Sequence, residues 1–303
     1  MVANSIEYVL GIDGGGTKCH ARLENLAGEV LAECITGPAN PAQDTAEALA
    51  SITQAMHALP VQAGLPPRML QQTRAVLGLA GISVPAYAAI VRQWTLPVSN
   101  VTFTTDLHIA CAGAHGTDTG AIIITGTGSS AFVTTSQGPR ILGGHGFPLG
   151  DKASGAWLGW RALSYTLETL DALHPPSGLS QAICQQAGTS DAAQLVAQSL
   201  HLRSAGYAAF APLVFAQAQL GDHNARDILA EGGDYLRQLA AQIATHKPAR
   251  FSLIGGLAKP WLPWLPSDLT TQLSAPLGSP VEGAVALARG DIFEPTPGKL
   301  QHV

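Results

Sequence analysis

Charged side chains are scarce in this chain, and the scarcity is uneven. Only 12% of the residues are Asp, Glu, Lys or Arg, and the balance is acidic, with a net charge of −5 and a pI near 6.0. A nucleic-acid partner calls for a basic face, so none is expected. Cysteine is limited to Cys19, Cys34, Cys111 and Cys184, without the paired spacing of a zinc or iron–sulfur site. They read as reduced thiols of a cytoplasmic protein. Long apolar runs are also missing. The longest stretch free of charged or strongly polar side chains, "AGYAAFAPLVFA", falls short of the ~20 residues a membrane span requires and contains Pro212. No membrane anchor is expected, and "MVANS" lacks the basic and apolar regions of a secretory signal. What remains is a globular chain, 46% hydrophobic over 303 residues, long enough for two domains with separate cores.

Glycine, by contrast, is plentiful and placed. "VLGIDGGGTKCH", residues 9–20, resembles two nucleotide motifs and satisfies neither. Gly11 and Gly16 have the spacing of a Walker loop, but Thr17-Lys18 follows in the wrong order. Gly14 and Gly16 suggest a dinucleotide fingerprint, yet the residues after them alternate like a strand rather than opening a helix. The segment is therefore a glycine turn between two strands. Such a turn suits an anion, because glycine, with Gly15 or Gly16 at positive φ, lets backbone N–H groups approach phosphate oxygens. A tight hairpin with no ligand fits the segment equally well.

The order of elements says more. Residues 7–12, 18–25 and 29–35 read as a three-stranded meander. A helix follows, with Leu49, Ile52, Met56 and Leu59 at helical spacing and Gly64-Leu65-Pro66-Pro67 behind it. Then come a strand at "RAVLGLAG", a helix after Pro85, a strand at "VTFTT" and the small-residue helix "LHIACAGA". The pattern is βββαβαβα. From residue 120 the opening returns as "AIIITGTGSSAFVTT" and "RILGG", again with a strand after the glycine turn. Helices are expected near 154–172, 191–201, 205–220 and 224–246, the last with Ile228, Gly232, Leu236, Leu239 and Ile243 on one face. A late strand, "RFSLIGG", ends in another glycine pair.

Paired halves with "GIDGGGTK", "ITGTGSS" and "LIGGLAK" resemble the actin, sugar kinase and heat-shock ATPase superfamily. With "TTD", "GGHGFPLGDKASGAW" and "YAAFAPLVFAQAQLGDHNARDIL", the chain resembles more closely the N-acetylglucosamine and glucosamine kinases of the BadF/BadG/BcrA/BcrD ATPase family, which also holds activator ATPases of benzoyl-CoA reductase and 2-hydroxyacyl-CoA dehydratase. The resemblance implies an α/β fold of two ribonuclease H-like (actin-like ATPase) domains, 1–115 and 116–303, each built on βββαβαβα around a cleft that closes over the substrates. The final helix would pack back on the first domain, and a homodimer is compatible with the family.

It further implies ATP-dependent phosphorylation of an amino sugar at its 6-hydroxyl. Gly14, Gly15, Gly16, Thr17, Gly126, Thr127 and Gly128 would hold the phosphates, and Gly255 and Gly256 the adenosine. Asp13 would hold magnesium through water, although a turn aspartate bonded to its own backbone fits the position too. Lys18 is expected in solvent. Asp106 would be the general base, while as an Asp ahead of a helix it also reads as an N-cap. Asn40, Asp106, Thr127, Gly144, His145 and Asp151 would bind the sugar, with Asn40 alternatively a turn residue before Pro41. His145 stands where the N-acetylglucosamine kinases carry tryptophan, and "GDKAS" replaces Gly-Asp-Glu-Gly-Ser, so the amine is free or acetylated. Two further readings stay open. An activator ATPase would need clustered cysteines, and a sugar-sensing repressor would need a helix-turn-helix ahead of Ile6.

Overall fold

The computed structural model describes residues 5–117, 119–135 and 138–291, together with the backbone of 301–302. The chain opens with β1 (Tyr8–Gly14), β2 (Cys19–Asn25) and β3 (Val30–Thr36), an antiparallel meander. Next come α1 (Thr45–Gln62), a 3-10 turn at Pro67–Gln72, β4 (Thr73–Leu79), α2 (Pro85–Val91), β5 (Asn100–Thr105) and α3 (Asp106–His115). The expected βββαβαβα order is therefore present. The sheet runs β3-β2-β1-β4-β5, with β1, β4 and β5 parallel. Period-two alternation along β1 divides the core: Leu10 and Ile12 pack with Ile52, Met56 and Leu59 of α1, whereas Val9 joins Val76 and Ile109 on the other face. On α1 the buried residue of the first turns is Ala48 rather than Leu49, since a small residue lets the helix lie closer to the sheet.

The second half repeats the opening in shortened form. β6 (Ala121–Thr125), β7 (Ser129–Thr135) and β8 (Gly138–Gly143) precede α4 (Gly155–Leu170), α5 (Gly178–Ala187), α6 (Ala192–Ser199), α7 (Ser204–Ala208), α8 (Ala211–Gln219) and α9 (His223–Ala244). β9 (Phe251–Ile254), α10 (Ala258–Trp261), α11 (Ser267–Thr270), α12 (Pro280–Arg289) and β10 (Gln301–His302) complete the chain, and the second sheet runs β10-β8-β7-β6-β9. The face of α9 marked by Ile228, Gly232, Leu236, Leu239 and Ile243 is buried. The helix expected over 205–220 divides at Phe210, because Pro212 is accommodated only in a first turn, that of α8. Between α4 and α6 lies a helix not expected from the sequence, α5, although Ser177 and Ser180 form its capping box and Gly188 its left-handed C-cap.

By internal packing the chain falls into two compact units: residues 1–122, 132–140 and 275–301, and residues 123–131, 141–274 and 302–303. In this division α12 groups with the first unit. Its start is fixed by a capping box between Ser279 and Glu282 with Pro280 in the first turn. It then packs on β1 and α3 through glycines. A methyl group at Gly11 would lie 2.7 Å from the Val281 carbonyl oxygen, and one at Gly283 would strike the Ile109 carbonyl and the Gly113 amide. Arg289 pairs with the buried Glu24, and Arg22 reaches Glu282 at 3.3 Å.

Candidate active site

In the first unit the functional groups gather at the carboxyl ends of β1, β4 and β5, where open α/β sheets bind ligands. Asp13 pairs in register with Gly78, and Gly78 with Thr104. Strand ends two places apart stand about 10 Å from each other, so Asp13 and Asp106 share one edge. Thr105, not Asp106, is the N-cap of α3: its hydroxyl accepts the His108 N–H. Asp106 occupies the first helical position, where its Oδ1 accepts the Leu107 N–H at 3.0 Å. Burial, reinforced by the negative charge of Asp13, pushes the Asp106 carboxyl up to about 6. The cap reading of Asp106 is thereby displaced. His108 lies buried behind it, its Nδ1 2.7 Å from the Thr104 hydroxyl and its ring stacked on Phe132.

Asp13 is half-buried, and burial raises its carboxyl against the attraction of His20 and Lys18. Among the described residues no N–H of its own turn donates to it, which sets aside the turn-aspartate reading. No group of three or more His, Cys, Asp or Glu among the described residues is arranged to hold a metal ion. Asp13 nevertheless fits magnesium, a cation held by one or two carboxylates with phosphate oxygens and water completing the shell. Lys18 is exposed. Asn40 takes the Ala42 N–H on its Oδ1 at 2.9 Å, as a turn residue does, while the Ala39 N–H beside it donates to the Gly15 carbonyl. Asn40 thus stands at the first glycine turn with only its amide N–H groups uncommitted.

That turn does not use left-handed backbone. Neither Gly15 nor Gly16 has positive φ, contrary to the expectation. Glycine is needed for room instead. A methyl at Gly14 would press on Leu79 and Ala39, one at Gly16 on the Gln43 amide, but one at Gly15 would meet nothing nearer than the Lys18 carbonyl at 3.7 Å. The carbonyls of Gly14 and Gly15 accept from Ala80 and Ala39, whereas the N–H groups of Gly16 and Thr17 donate to no backbone carbonyl of the described residues. N–H groups without a carbonyl partner in an open glycine turn suit an anion.

The second unit builds a related turn by different means. The Gly126 and Thr127 carbonyls accept the first N–H groups of α4, from Gly155 and Ala156. The N–H groups of Thr127 and Gly128 donate to no carbonyl of the described residues, and Thr127 is exposed. Asp151 lies under the turn, so that a methyl on Gly128 would stand 2.8 Å from its Oδ2. Its Oδ1 accepts the Gly146 N–H at 3.2 Å, and Ser129 donates a second backbone N–H. Burial still raises the Asp151 carboxyl. Asp151 and Ala153 both hold positive φ, 60° and 67°, strained backbone concentrated in the loop that also carries exposed Gly144 and His145. Gly255, at φ +97°, follows β9 beneath Thr125, and the Leu257 N–H donates to the Thr125 carbonyl. Next to it, a methyl on Gly256 would meet nothing within 4 Å.

Two sheets with glycine turns of this kind, and carboxylates at strand ends, define an actin-like ATPase fold, and the chain belongs to the BadF/BadG/BcrA/BcrD ATPase family, whose model matches residues 10–265. Among its relatives, glucosamine kinase GspK of Vibrio cholerae is 30% identical over 283 residues, covering 93% of this chain and 96% of that protein. The N-acetyl-D-glucosamine kinase of Dictyostelium discoideum is 25% identical over 82% of this chain and 84% of its own length. The crystal structure of a presumed N-acetylglucosamine kinase from Chromobacterium violaceum superposes with a TM-score of 0.87 at 32% identity, over 93% of this chain and 99% of that one. A ROK family glucokinase from Streptomyces griseus shares the fold, with a TM-score of 0.58 at 18% identity over 93% and 99% of the two chains.

Proposed function

We propose that this protein is an ATP-dependent kinase of an amino sugar, N-acetylglucosamine or glucosamine, acting at the 6-hydroxyl. The observation that carries the reading is the state of Asp106. It is released from capping by Thr105, held partly out of water at a strand end, and shifted toward the range where a carboxylate serves as a base. The names of the relatives point to the same chemistry.

Asp106 takes the proton of the sugar hydroxyl as its oxygen attacks the terminal phosphorus, and ADP leaves. Phosphoryl transfer asks the protein mainly for positioning and for neutralising charge on the transferred oxygens. The turns Gly14–Thr17 and Gly126–Gly128 are assigned to the phosphates, with the N–H groups of Gly16, Thr17, Thr127 and Gly128 left without a backbone acceptor among the described residues, and Gly255 and Gly256 are assigned to the adenosine. Asp13 is assigned to magnesium, which when bound supplies positive charge at the phosphates. Asn40, Thr127, Gly144, His145 and Asp151 are assigned to the sugar. The domain division at residues 115/116 and a cytoplasmic location belong to the same proposal; no helix among the described residues is long and apolar enough to cross a membrane. No specific observation favours the activator-ATPase reading.

Sugar-dependent ADP release across N-acetylglucosamine, glucosamine, glucose and mannose tests the proposal. Turnover with an amino sugar and much less with the two neutral hexoses is expected. Comparable rates on all four would sink the amino-sugar assignment, and no sugar-dependent release at all would sink the kinase.

A further inference from the structure

The sequence reading placed no site residue on α9, yet two side chains one helical turn apart, Glu231 and Tyr235, reach the loop that carries Asp151. The Tyr235 hydroxyl faces the start of that loop, for a methyl on Gly143 would lie 2.6 Å from it. It is near enough to Asp151 for the carboxylate, after burial, to raise the phenol. The hydroxyl has no hydrogen-bond partner among the described residues, and the side chain is half-buried.

Glu231 acts on Asp151 indirectly. Lys152 is the cation next to Asp151 in the chain and the obvious candidate to neutralise it. Instead its Nζ lies 2.9 Å from Glu231 Oε1 and rests over the Trp157 ring. Arg161, 3.0 Å from the other Glu231 oxygen, is held over the same ring. Both nearby cations are thus drawn to Glu231, and among the described residues Asp151 is left with two backbone N–H donors and the favourable charge of His145. A half-buried carboxylate with no fixed cation, flanked by a hydroxyl oxygen, offers acceptors to a ligand that brings positive charge.

We infer that Tyr235 is a specificity-determining residue, which together with Asp151 receives the amino group of the sugar as a free ammonium, and that Glu231 keeps that place vacant of protein cations by holding Lys152 and Arg161. This rests on the kinase reading and narrows its substrate from the two amino sugars to the unacetylated one. An ammonium presents three N–H donors and no acceptor, which matches a carboxylate and a phenolic oxygen; an acetamide would bring a carbonyl to the same carboxylate and lose the charge.

The test compares Tyr235→Phe and Glu231→Gln with the unmodified enzyme, using glucosamine, N-acetylglucosamine and glucose as acceptors and calorimetric glucosamine binding as a readout apart from turnover. Loss of a hydrogen bond to a charged group predicts that Tyr235→Phe raises the glucosamine KM and Kd by roughly tenfold or more, with kcat and the ATP KM little changed and glucose affected much less. Glu231→Gln is expected to weaken glucosamine binding in the same selective way, because it releases Lys152 toward Asp151. Unchanged glucosamine affinity in both folded variants, or an equal loss on glucosamine and glucose, overturns the inference, as does an unmodified enzyme that prefers the acetylated sugar. In none of these three outcomes does the kinase reading fall; it falls only if the unmodified enzyme transfers phosphate to no sugar.

Discussion

The two units carry the same device, a glycine turn between strands beside a carboxylate, and finish it differently. In the first, Asp106 and Asp13 are left at a high electrostatic cost, two acids raised by burial and, at Asp106, by each other's charge. In the second, Asp151 is pinned by the Gly146 and Ser129 amides and braced against Gly128, and the turn's carbonyls are spent on α4. One arrangement leaves a carboxyl raised by a neighbouring acid, and the other holds a carboxylate in place with backbone donors. Glycine in such a turn therefore has no single reason: Gly14 and Gly128 yield to packing, while a methyl at Gly15, Gly126 or Gly256 would meet nothing nearer than 3.7 Å.

The sharpest way to break this comparison is Asp106→Asn, which keeps size and removes the basic carboxylate. Turnover should fall by roughly 10²–10⁴ while sugar affinity moves much less. Stability should not fall with it. The folded protein holds the Asp106 proton more tightly than the unfolded chain does, so between the ordinary carboxylate range and about 6 this group's contribution to stability declines as pH rises. An uncharged Asn escapes that cost, and at pH 7–8 the melting temperature of the variant should equal or exceed that of the parent. Near-normal turnover would remove Asp106 from the mechanism.

Gly15→Val asks whether the open space of the first turn belongs to the nucleotide. The position is not left-handed and the added side chain meets no close neighbour, so the fold should persist. ATP affinity, followed by calorimetry, should drop on the order of ten- to a hundredfold, the loss of hydrogen bonds to a charged group. Unchanged binding would move the phosphate site away from this turn.

A smaller effect follows from the base's titration. Asp106 must be ionised to accept a proton, so kcat/KM should be full above about pH 7 and decline below an acidic limb near 6, approaching tenfold per pH unit. A limb in the ordinary carboxylate range would mean that the group is not held out of water. The smallest effect expected is that of Thr105→Ala. Removing the cap should cost about 1 kcal/mol of stability, read by denaturant titration, with little change in kcat. Set beside Asp106→Asn, it separates the residue that caps the helix from the one assigned to the chemistry.

Much of this is legible in the sequence. The meander, the strand after each glycine turn and the buried face of α9 follow from period-two and period-3.6 patterns in which apolar residues leave little choice. Asp13 and Asp106 stand at or next to strand ends, but their roles, and that of Asp151 in the loop after β8, are legible only through the resemblance to the family. What stayed hidden was relational. No local pattern shows that Thr105 rather than Asp106 receives the His108 N–H, since both residues are good caps. Nor does spacing reveal that Tyr235, 84 positions after Asp151 (235 − 151), comes to face the same loop. The left-handed backbone expected at Gly15 or Gly16 is found instead at Asp151, whose carboxylate accepts the Gly146 N–H, and at Ala153.

The return of α12 to the first sheet has a consequence for how the chain is made. Val9, Val76 and Ile109 lie on the face that Ala284, Val285, Leu287 and Ala288 cover. During synthesis that face waits for residue 280, which is 158 positions beyond Ile122 (280 − 122). At ribosomal rates of about 5–20 residues per second the delay is roughly 8–32 s. For that interval the nascent first unit presents an uncovered apolar surface, a natural target for chaperones, and its last sheet face closes only when the helix that seals it has been translated.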